Sequence, residues 1–155
     1  MIIKKLELQN NSLVRELFEL QKASYLVEAN LIHFFEIPPL VETIDDLRNC
    51  EETFFGYFED DILAGAISFT IEGEEMKICR LVVHPKHFKK GIAQKLLAII
   101  EENDPKITVY KVSTGKDNLP AKNLYLKNGY RLINEVEAAP GLFLSNFKKS
   151  RSPAL

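Results

Sequence analysis

The N-terminal part of the chain shows the apolar spacing of helices. The run Asn10-Asn11-Ser12 offers side-chain oxygens of the kind that cap helix N-termini. Apolar residues recur behind it at helical intervals: Leu13, Leu17 and Leu20. A second apolar stretch, 26–35, ends before Pro38, because proline lacks the amide proton that a helix interior needs. We therefore predict a short strand at the start of the chain, two helical runs and a short helix from Thr43 to Leu47.

In the middle of the chain the pattern changes to that of β-strands. Segments 53–58 and 62–71 are rich in β-branched and aromatic residues, and the acidic turn between them predicts a β-hairpin. After a second turn at Glu72-Gly73-Glu74, a third strand is predicted from Met76 to Val83. Its last residues, Leu81-Val82-Val83, lack polar alternation, which is typical of a strand buried on both faces.

Helices and strands alternate in the last part of the chain. The patterns predict a helix at 91–102, a buried strand at 107–112, a helix at 119–128 and two final strands at 130–136 and 142–147. The predicted fold is therefore a single α/β (α+β) domain, residues 1–148. Its mixed, mostly antiparallel sheet has a central parallel strand pair and is flanked by helices. Residues 149–155 are predicted to form a polar tail.

Composition narrows the functional classes. The 155 residues carry a formal net charge of -2, which disfavours a dedicated nucleic-acid-binding protein. The chain shows neither an apolar run long enough to span a membrane nor a signal peptide. Cys50 and Cys79 form no CxxC pair, so neither a metal site nor a disulfide is expected. We expect a cytoplasmic protein, monomeric or homodimeric, that binds no nucleic acid, membrane or metal.

The segment with the clearest candidate chemistry joins the third predicted strand to the next helix. Lys89, Lys90 and Gly91 directly precede that helix. A helix N-terminus presents unpaired amide protons and the positive end of the helix dipole, so it binds phosphates well. Gly91 lets the backbone approach an anion closely, and the lysines add charge-assisted contacts. A G-x-G-x-x-G fingerprint is absent, and a plain strand-to-helix connection with solvated lysines also fits.

A later segment, 118–130, makes the pattern more specific, because the two segments together resemble the Gcn5-related N-acetyltransferase (GNAT) superfamily. The phosphate loop of that family, Gln/Arg-x-x-Gly-x-Gly/Ala, corresponds to Phe88-Lys89-Lys90-Gly91-Ile92-Ala93. The family pattern Asn-x-x-Ala-x-x-Leu/Phe-Tyr-x-x-x-Gly-Phe/Tyr is matched at Asn118, Ala121, Leu124, Tyr125, Gly129 and Tyr130. Phe88 departs from the pattern and removes one side-chain contact to the pyrophosphate.

The resemblance implies a GNAT-like fold and the transfer of an acetyl group from acetyl-CoA, as co-substrate, to a primary amine of a small molecule or peptide. It implies that pantetheine pairs with the main chain at Leu81, Val82 and Val83. The pyrophosphate would lie on the amides from Phe88 to Ala93. Asn118 would hydrogen-bond the cofactor, although a plain helix cap is compatible with its position. Tyr125 would protonate the departing thiolate, with a core aromatic as the alternative.

The sequence does not identify the general base that would deprotonate the amine. Many relatives carry a glutamate on the strand before the phosphate loop, where this chain has Lys77 and Cys79. Glu28, His33 and Glu36 belong to the N-terminal helices that line the acceptor side in this fold, but surface or capping roles, or a water chain as the base, fit equally. The absent strand glutamate and the replacement at Phe88 also leave room for a non-catalytic acyl-CoA-binding sensor or partner-binding module.

Overall fold

The computed structural model describes residues 2–151 and shows the predicted alternation of helices and strands. In chain order the elements are β1 (Ile2–Lys5), α1 (Asn11–Ile32), α2 (Pro38–Val41), α3 (Ile44–Asn49), β2 (Thr53–Glu59), β3 (Ile62–Glu72), β4 (Glu75–Val83), α4 (Ile92–Asn103), β5 (Val109–Gly115), α5 (Leu119–Lys127), β6 (Arg131–Ala139) and β7 (Leu142–Ser150). The hairpin and the later helices and strands are confirmed, with their ends shifted by a few residues.

The described residues form one seven-stranded sheet in the order β1-β2-β3-β4-β5-β7-β6. Neighbouring strands are antiparallel except β4 and β5, which run parallel and are joined through α4. The predicted mixed sheet with a central parallel pair and flanking helices is therefore confirmed. No helix among residues 2–151 has the length and apolar content that crossing a membrane requires.

Helices cover the centre of the sheet on both faces. Alternate residues of β3 separate the two cores: Ile67 packs with α4 and α5, whereas Ala66 packs with α1 and α3. Leu96 and Leu17, from α4 and α1, are fully buried in the two cores. Because successive side chains of a strand point to opposite faces of the sheet, β3 contacts one helical layer on each side.

Helix α1 is one continuous helix of 22 residues, whereas the sequence analysis predicted two helical runs. Neither glycine nor proline interrupts residues 11–32, so nothing in the sequence breaks the helix between the two apolar stretches. The Asn10 side chain caps it by accepting a hydrogen bond from the Leu13 amide at 3.0 Å. The helix ends at His33, which adopts a left-handed conformation with φ 56°.

The predicted polar tail begins too early, because β7 continues to Ser150. Backbone pairing with β5 carries the strand through Lys148 and Lys149 even though their side chains are polar. Arg151 then donates to the carbonyl oxygens of Glu101, Asp104 and Ile107 at 2.6, 2.9 and 2.7 Å. A cation at the C-terminal end of α4 satisfies helix carbonyls that lack partners. Residues 152–155 lie outside the described residues.

A buried ion cluster fastens the N-terminal helices to the sheet. Arg80 on β4 is 9% exposed and donates hydrogen bonds to Glu42, Glu52 and the Gln21 side chain of α1. Burial alone would lower the pKa of Arg80, but the hydrogen bonds from its guanidinium to Glu42 and Glu52 raise it by more. The pKa of Arg80 therefore lies above its usual value. The guanidinium therefore stays charged and holds α1 and the segments around α3 against β4.

The cluster predicts a large effect on stability. Arg80→Met keeps an apolar stem but leaves Glu42 and Glu52 partly buried without a counter-charge. We expect the free energy of unfolding in urea to fall by about 3–5 kcal/mol. Lys111→Met is the control, because Lys111 pairs with Glu75 at 3.0 Å on the surface; its effect should stay below about 1 kcal/mol. Equal losses in both variants would contradict the special role of Arg80.

Candidate active site

The sheet opens at its centre because β4 and β5 pair only where they begin. The parallel register joins Glu75–Lys77 to Val109–Lys111. Farther along, β4 pairs with β3 alone and β5 pairs with β7 alone within the described residues. A β-bulge in the β3–β4 ladder, between Ser68 and Phe69, accompanies the separation. The edge of β4 from Ile78 to Val83 therefore faces a gap, as an extended ligand requires.

A cavity of about 60 Å³ lies in this gap. Its wall is formed by residues of α1, β4, β5 and the start of α5: Tyr25, Glu28, Ile78, Cys79, Arg80, Leu81, Val112, Ser113, Thr114, Asn118, Ala121 and Tyr125. Three residues predicted for the site, Leu81, Asn118 and Tyr125, are thus brought together. Val82 points away and is buried in the core on the α1 side, so only its main chain is available.

A wider, open groove of about 720 Å³ lies on the outer side of α1, between the first half of that helix and the start of β3. It reaches His84, but neither Asn118, Tyr125 nor the candidate phosphate loop lines it. The smaller cavity is the candidate site, because it combines the unpaired edge of β4 with the polar groups of three other elements.

Tyr125 is held rigidly while its hydroxyl stays available. The side chain is 4% exposed, and its ring centroid lies 5.8 Å from that of Tyr130 and 5.6 Å from that of Phe147. The hydroxyl makes no hydrogen bond to any residue in the range 2–151. Burial, and next the charge of Glu28, raise the pKa of Tyr125 above its usual value. The phenol is therefore protonated at neutral pH and can donate a proton into the cavity.

Asn118 connects the start of α5 to β5. Its side-chain oxygen caps the helix by accepting from the Ala121 amide at 3.3 Å, and its amide group donates to the Thr114 hydroxyl at 3.3 Å. The helix-cap alternative for Asn118 is thus confirmed. Thr114 was missed by the sequence analysis, because the predicted strand ended at Val112 and no motif marks the residues that follow.

The candidate phosphate loop has the backbone shape of an anion site. His84 supports the 3₁₀ turn Pro85–His87 by accepting a hydrogen bond from the Lys86 amide at 3.1 Å. Lys89 and Gly91 both have left-handed conformations, with φ of 65° and 75°. Helix α4 begins directly after Gly91 without a side-chain cap. Its first amides therefore point toward the loop, and no side chain of residues 2–151 caps them.

The charges of this loop are partly compensated. The Lys90 ammonium lies 3.2 Å from His87 Nδ1 and 3.8 Å from a carboxylate oxygen of Glu59 at the end of β2. Lys89 is exposed, and Phe88 is 43% exposed. The loop thus keeps a positive field at the helix start, and an apolar ring stands where the family pattern has Arg or Gln.

The structure separates the base candidates that the sequence left open. Glu28 reaches from α1 across the gap and accepts hydrogen bonds from the Thr114 hydroxyl at 3.0 Å and the Gly115 amide at 3.4 Å. His33 ends α1, Glu36 is exposed, and neither lines the cavity. Cys79 does line the cavity, but burial raises the pKa of its thiol, so the thiol is a poor nucleophile and a poor base.

The end of α1 lies unusually close to β5. A Cβ atom added at Gly115 would stand 2.5 Å from the Ile32 side chain, much closer than atoms in contact allow. Glycine at this position therefore permits the helix to approach the strand at the rim of the cavity.

Comparisons with known proteins identify relatives of this chain. Residues 14–130 match the model of the acetyltransferase (GNAT) family. The UPF0157 protein YqkA of Bacillus subtilis (strain 168) is 36% identical over 146 residues, which cover 94% of this chain and 43% of that protein. The chain therefore spans less than half the length of this curated relative.

Solved structures share the fold. The PaiA N-acetyltransferase from Thermoplasma acidophilum in complex with coenzyme A has a TM-score of 0.75 and 21% identity, with 97% of this chain and 98% of that chain covered. An aminoglycoside 6'-acetyltransferase type Ii has a TM-score of 0.76 and 20% identity, with both chains covered completely, at 100% each.

Proposed function

Because the chain belongs to the acetyltransferase (GNAT) family, we propose that it transfers the acetyl group of acetyl-CoA to a primary amine of a small molecule or peptide by direct attack. The gap between β4 and β5 is the proposed site. The observation that carries the proposal is the Tyr125 hydroxyl, which makes no hydrogen bond to the described part of the chain and lies at the cavity beside the unpaired edge of β4.

The residues present fit the co-substrate. Pantetheine would lie along the open edge of β4 at Leu81–Val83, where an extended chain finds unpaired main-chain groups. The Val83 amide is partly engaged, since it donates to the Ser24 hydroxyl at 3.4 Å. The pyrophosphate would lie on the loop 88–93, whose left-handed Gly91 and uncapped helix start favour an anion.

The proposed chemistry needs a proton donor at the sulfur. The amine nitrogen attacks the thioester carbonyl carbon, the C–N bond forms, and the C–S bond breaks. The departing sulfur takes the phenolic proton of Tyr125, and a proton that leaves the nitrogen restores the phenol. Burial holds that proton on the phenol until negative charge develops on the sulfur nearby.

The alternative is a non-catalytic acyl-CoA-binding sensor or partner-binding module, which Phe88 in the phosphate loop favours. Release of free thiol from acetyl-CoA separates the two functions. The protein would be mixed with a panel of primary amines (tyramine, spermidine, an aminoglycoside and a peptide with a free N-terminus), and acetylated products would be identified by mass. Acetyl-CoA binding without thiol release on any amine would support the sensor.

The loop is tested by Gly91→Val. A β-branched residue strains the left-handed backbone and crowds an approaching phosphate, although an added Cβ meets no atom within 4 Å in the protein itself. We expect the acetyl-CoA dissociation constant from calorimetry to rise about tenfold or more, a cost of roughly 1.4 kcal/mol. Gly141→Val is the control, because Gly141 has φ 82° and equal space at the β6–β7 turn. Unchanged affinity in Gly91→Val would exclude this phosphate site.

The lysines are tested by salt. Exposed charge pairs weaken as ionic strength rises, so acetyl-CoA affinity should fall between about 50 mM and about 500 mM salt. The double variant Lys89→Gln/Lys90→Gln should bind more weakly at low salt and show a smaller salt dependence. Lys127→Gln, an exposed lysine at the end of α5, should behave as the unmodified protein. A salt-independent affinity of the unmodified protein would contradict the role of both lysines.

The proton donor is tested by Tyr125→Phe, which keeps the ring packing and removes the hydroxyl. We expect turnover to fall roughly 100- to 10,000-fold, while acetyl-CoA affinity and thermal stability change little. Tyr130→Phe is the control, because its hydroxyl in the same aromatic cluster bonds Glu101 at 2.9 Å outside the cavity. Full turnover in Tyr125→Phe would mean that another group supplies the proton. Joint loss of affinity, stability and activity would mean that Tyr125 is structural.

A further inference from the structure

We propose that Glu28 binds the acceptor amine in the cavity and removes its proton before attack. The inference rests on the proposed acetyl transfer and assigns the group that makes the acceptor nucleophilic. Neither the family motifs nor the sequence patterns distinguish Glu28 from the other acidic residues of the N-terminal helices.

The position of Glu28 is fixed from β5. Its Oε1 atom accepts from the Thr114 hydroxyl and the Gly115 amide, and Thr114 is in turn held by Asn118. Asn118 caps the helix that carries Tyr125. A continuous chain of hydrogen bonds therefore sets the carboxylate relative to the proposed proton donor.

The second carboxylate oxygen of Glu28 is left for a ligand. Oε2 accepts no hydrogen bond from residues 2–151, and the hydroxyls of Tyr25 and Tyr125 donate to none of those residues. All three groups line the same cavity, whose volume of about 60 Å³ exceeds the roughly 10–15 Å³ that one water needs. Three polar groups without partners around one space indicate a polar ligand, and a carboxylate oxygen suits an ammonium group.

The other charged and titratable groups around the cavity do not compete for this role. Among the described lining residues Glu28 is the sole carboxylate. Arg80 is already bound by Glu42 and Glu52, and the Cys79 thiol is neutral. Apolar residues of α1 pack the helix on the sheet, and Glu28 is not among them.

The proton balance closes with Glu28 and Tyr125. An alkylammonium group with a pKa near 10.4 is neutral in only about one molecule in 2,500 at pH 7. Glu28 takes one proton from this ammonium, and the nitrogen lone pair then attacks the carbonyl carbon. As the C–S bond breaks, the sulfur takes the Tyr125 proton, and the second proton of the nitrogen restores Tyr125. Glu28 releases its proton to solvent with the product.

Proton uptake by Glu28 favours proton donation by Tyr125. The negative charge of Glu28 is the second cause, after burial, of the raised pKa of Tyr125. Once Glu28 has accepted a proton this charge is gone, and Tyr125 becomes a better proton donor when the sulfur needs one. Tyr25 stands in the same field, because burial, and next the charge of Glu28, raise the pKa of its hydroxyl.

Glu28→Gln tests the proposal with a side chain of the same shape. The rate would be followed from pH 6 to about pH 10 with the panel amine of highest kcat/KM and with hydroxylamine, a small nucleophile that is neutral at pH 7. We expect kcat/KM for the alkylamine to fall roughly 100-fold or more at pH 7. The deficit should shrink toward high pH and be small with hydroxylamine, because neither condition requires removal of a proton before attack. Acetyl-CoA affinity should be unchanged.

Glu36→Gln, on the same side of the protein but outside the cavity, is the matched control and should retain the activity of the unmodified protein. If Glu28→Gln also retains it, the inference fails while acetyl transfer stands. A uniform loss at every pH and with both nucleophiles would make Glu28 structural and overturn its role as a base. If the unmodified protein binds acetyl-CoA but does not release thiol with any amine of the panel, the proposed function itself fails.

Discussion

The early parting of β4 and β5 is the constraint on which the rest of the molecule depends. Backbone amides and carbonyls in the middle of a sheet normally pair, and leaving them open costs free energy. Here the pairing stops after Lys77, and α1 bridges the opening. Ser24 accepts from the Val83 amide on one strand, and Glu28 accepts from Gly115 on the other. One helix thus contacts both sides of the gap.

The residues of α1 that make these contacts share one face of the helix. Ser24 and Tyr25 lie three and four residues after Gln21, and Glu28 lies four and three residues after them, which is the spacing of neighbours on a helical surface. Gln21 joins the Arg80 cluster, so the same face is anchored to β4 by a buried charge. Attachment of α1 and the chemistry of the gap are therefore properties of one polar stripe.

Local patterns predicted most of the fold, because hairpin turns, helix spacing and the glycine before α4 act over a few residues. The end of β5 was missed, since Ser113, Thr114 and Gly115 join the strand through pairing with β7 rather than through apolar side chains. The base could not be chosen from sequence either. Which of Glu28, His33 and Glu36 lines the cavity depends on the rotation of α1 about its axis and on the residue at which α1 ends. Only tertiary packing sets these two properties.

The close approach of α1 to β5 has a consequence for the range of molecules that can enter. Gly115 and Ile32 leave no room for one additional carbon atom between helix and strand. The width of the opening is therefore set by a contact at its limit rather than by a loop that can adjust. A methyl group at position 115 would act as a spacer that moves the end of α1 outward, and Glu28 would move with it. This one residue therefore governs both the size of the entrance and the position of the carboxylate.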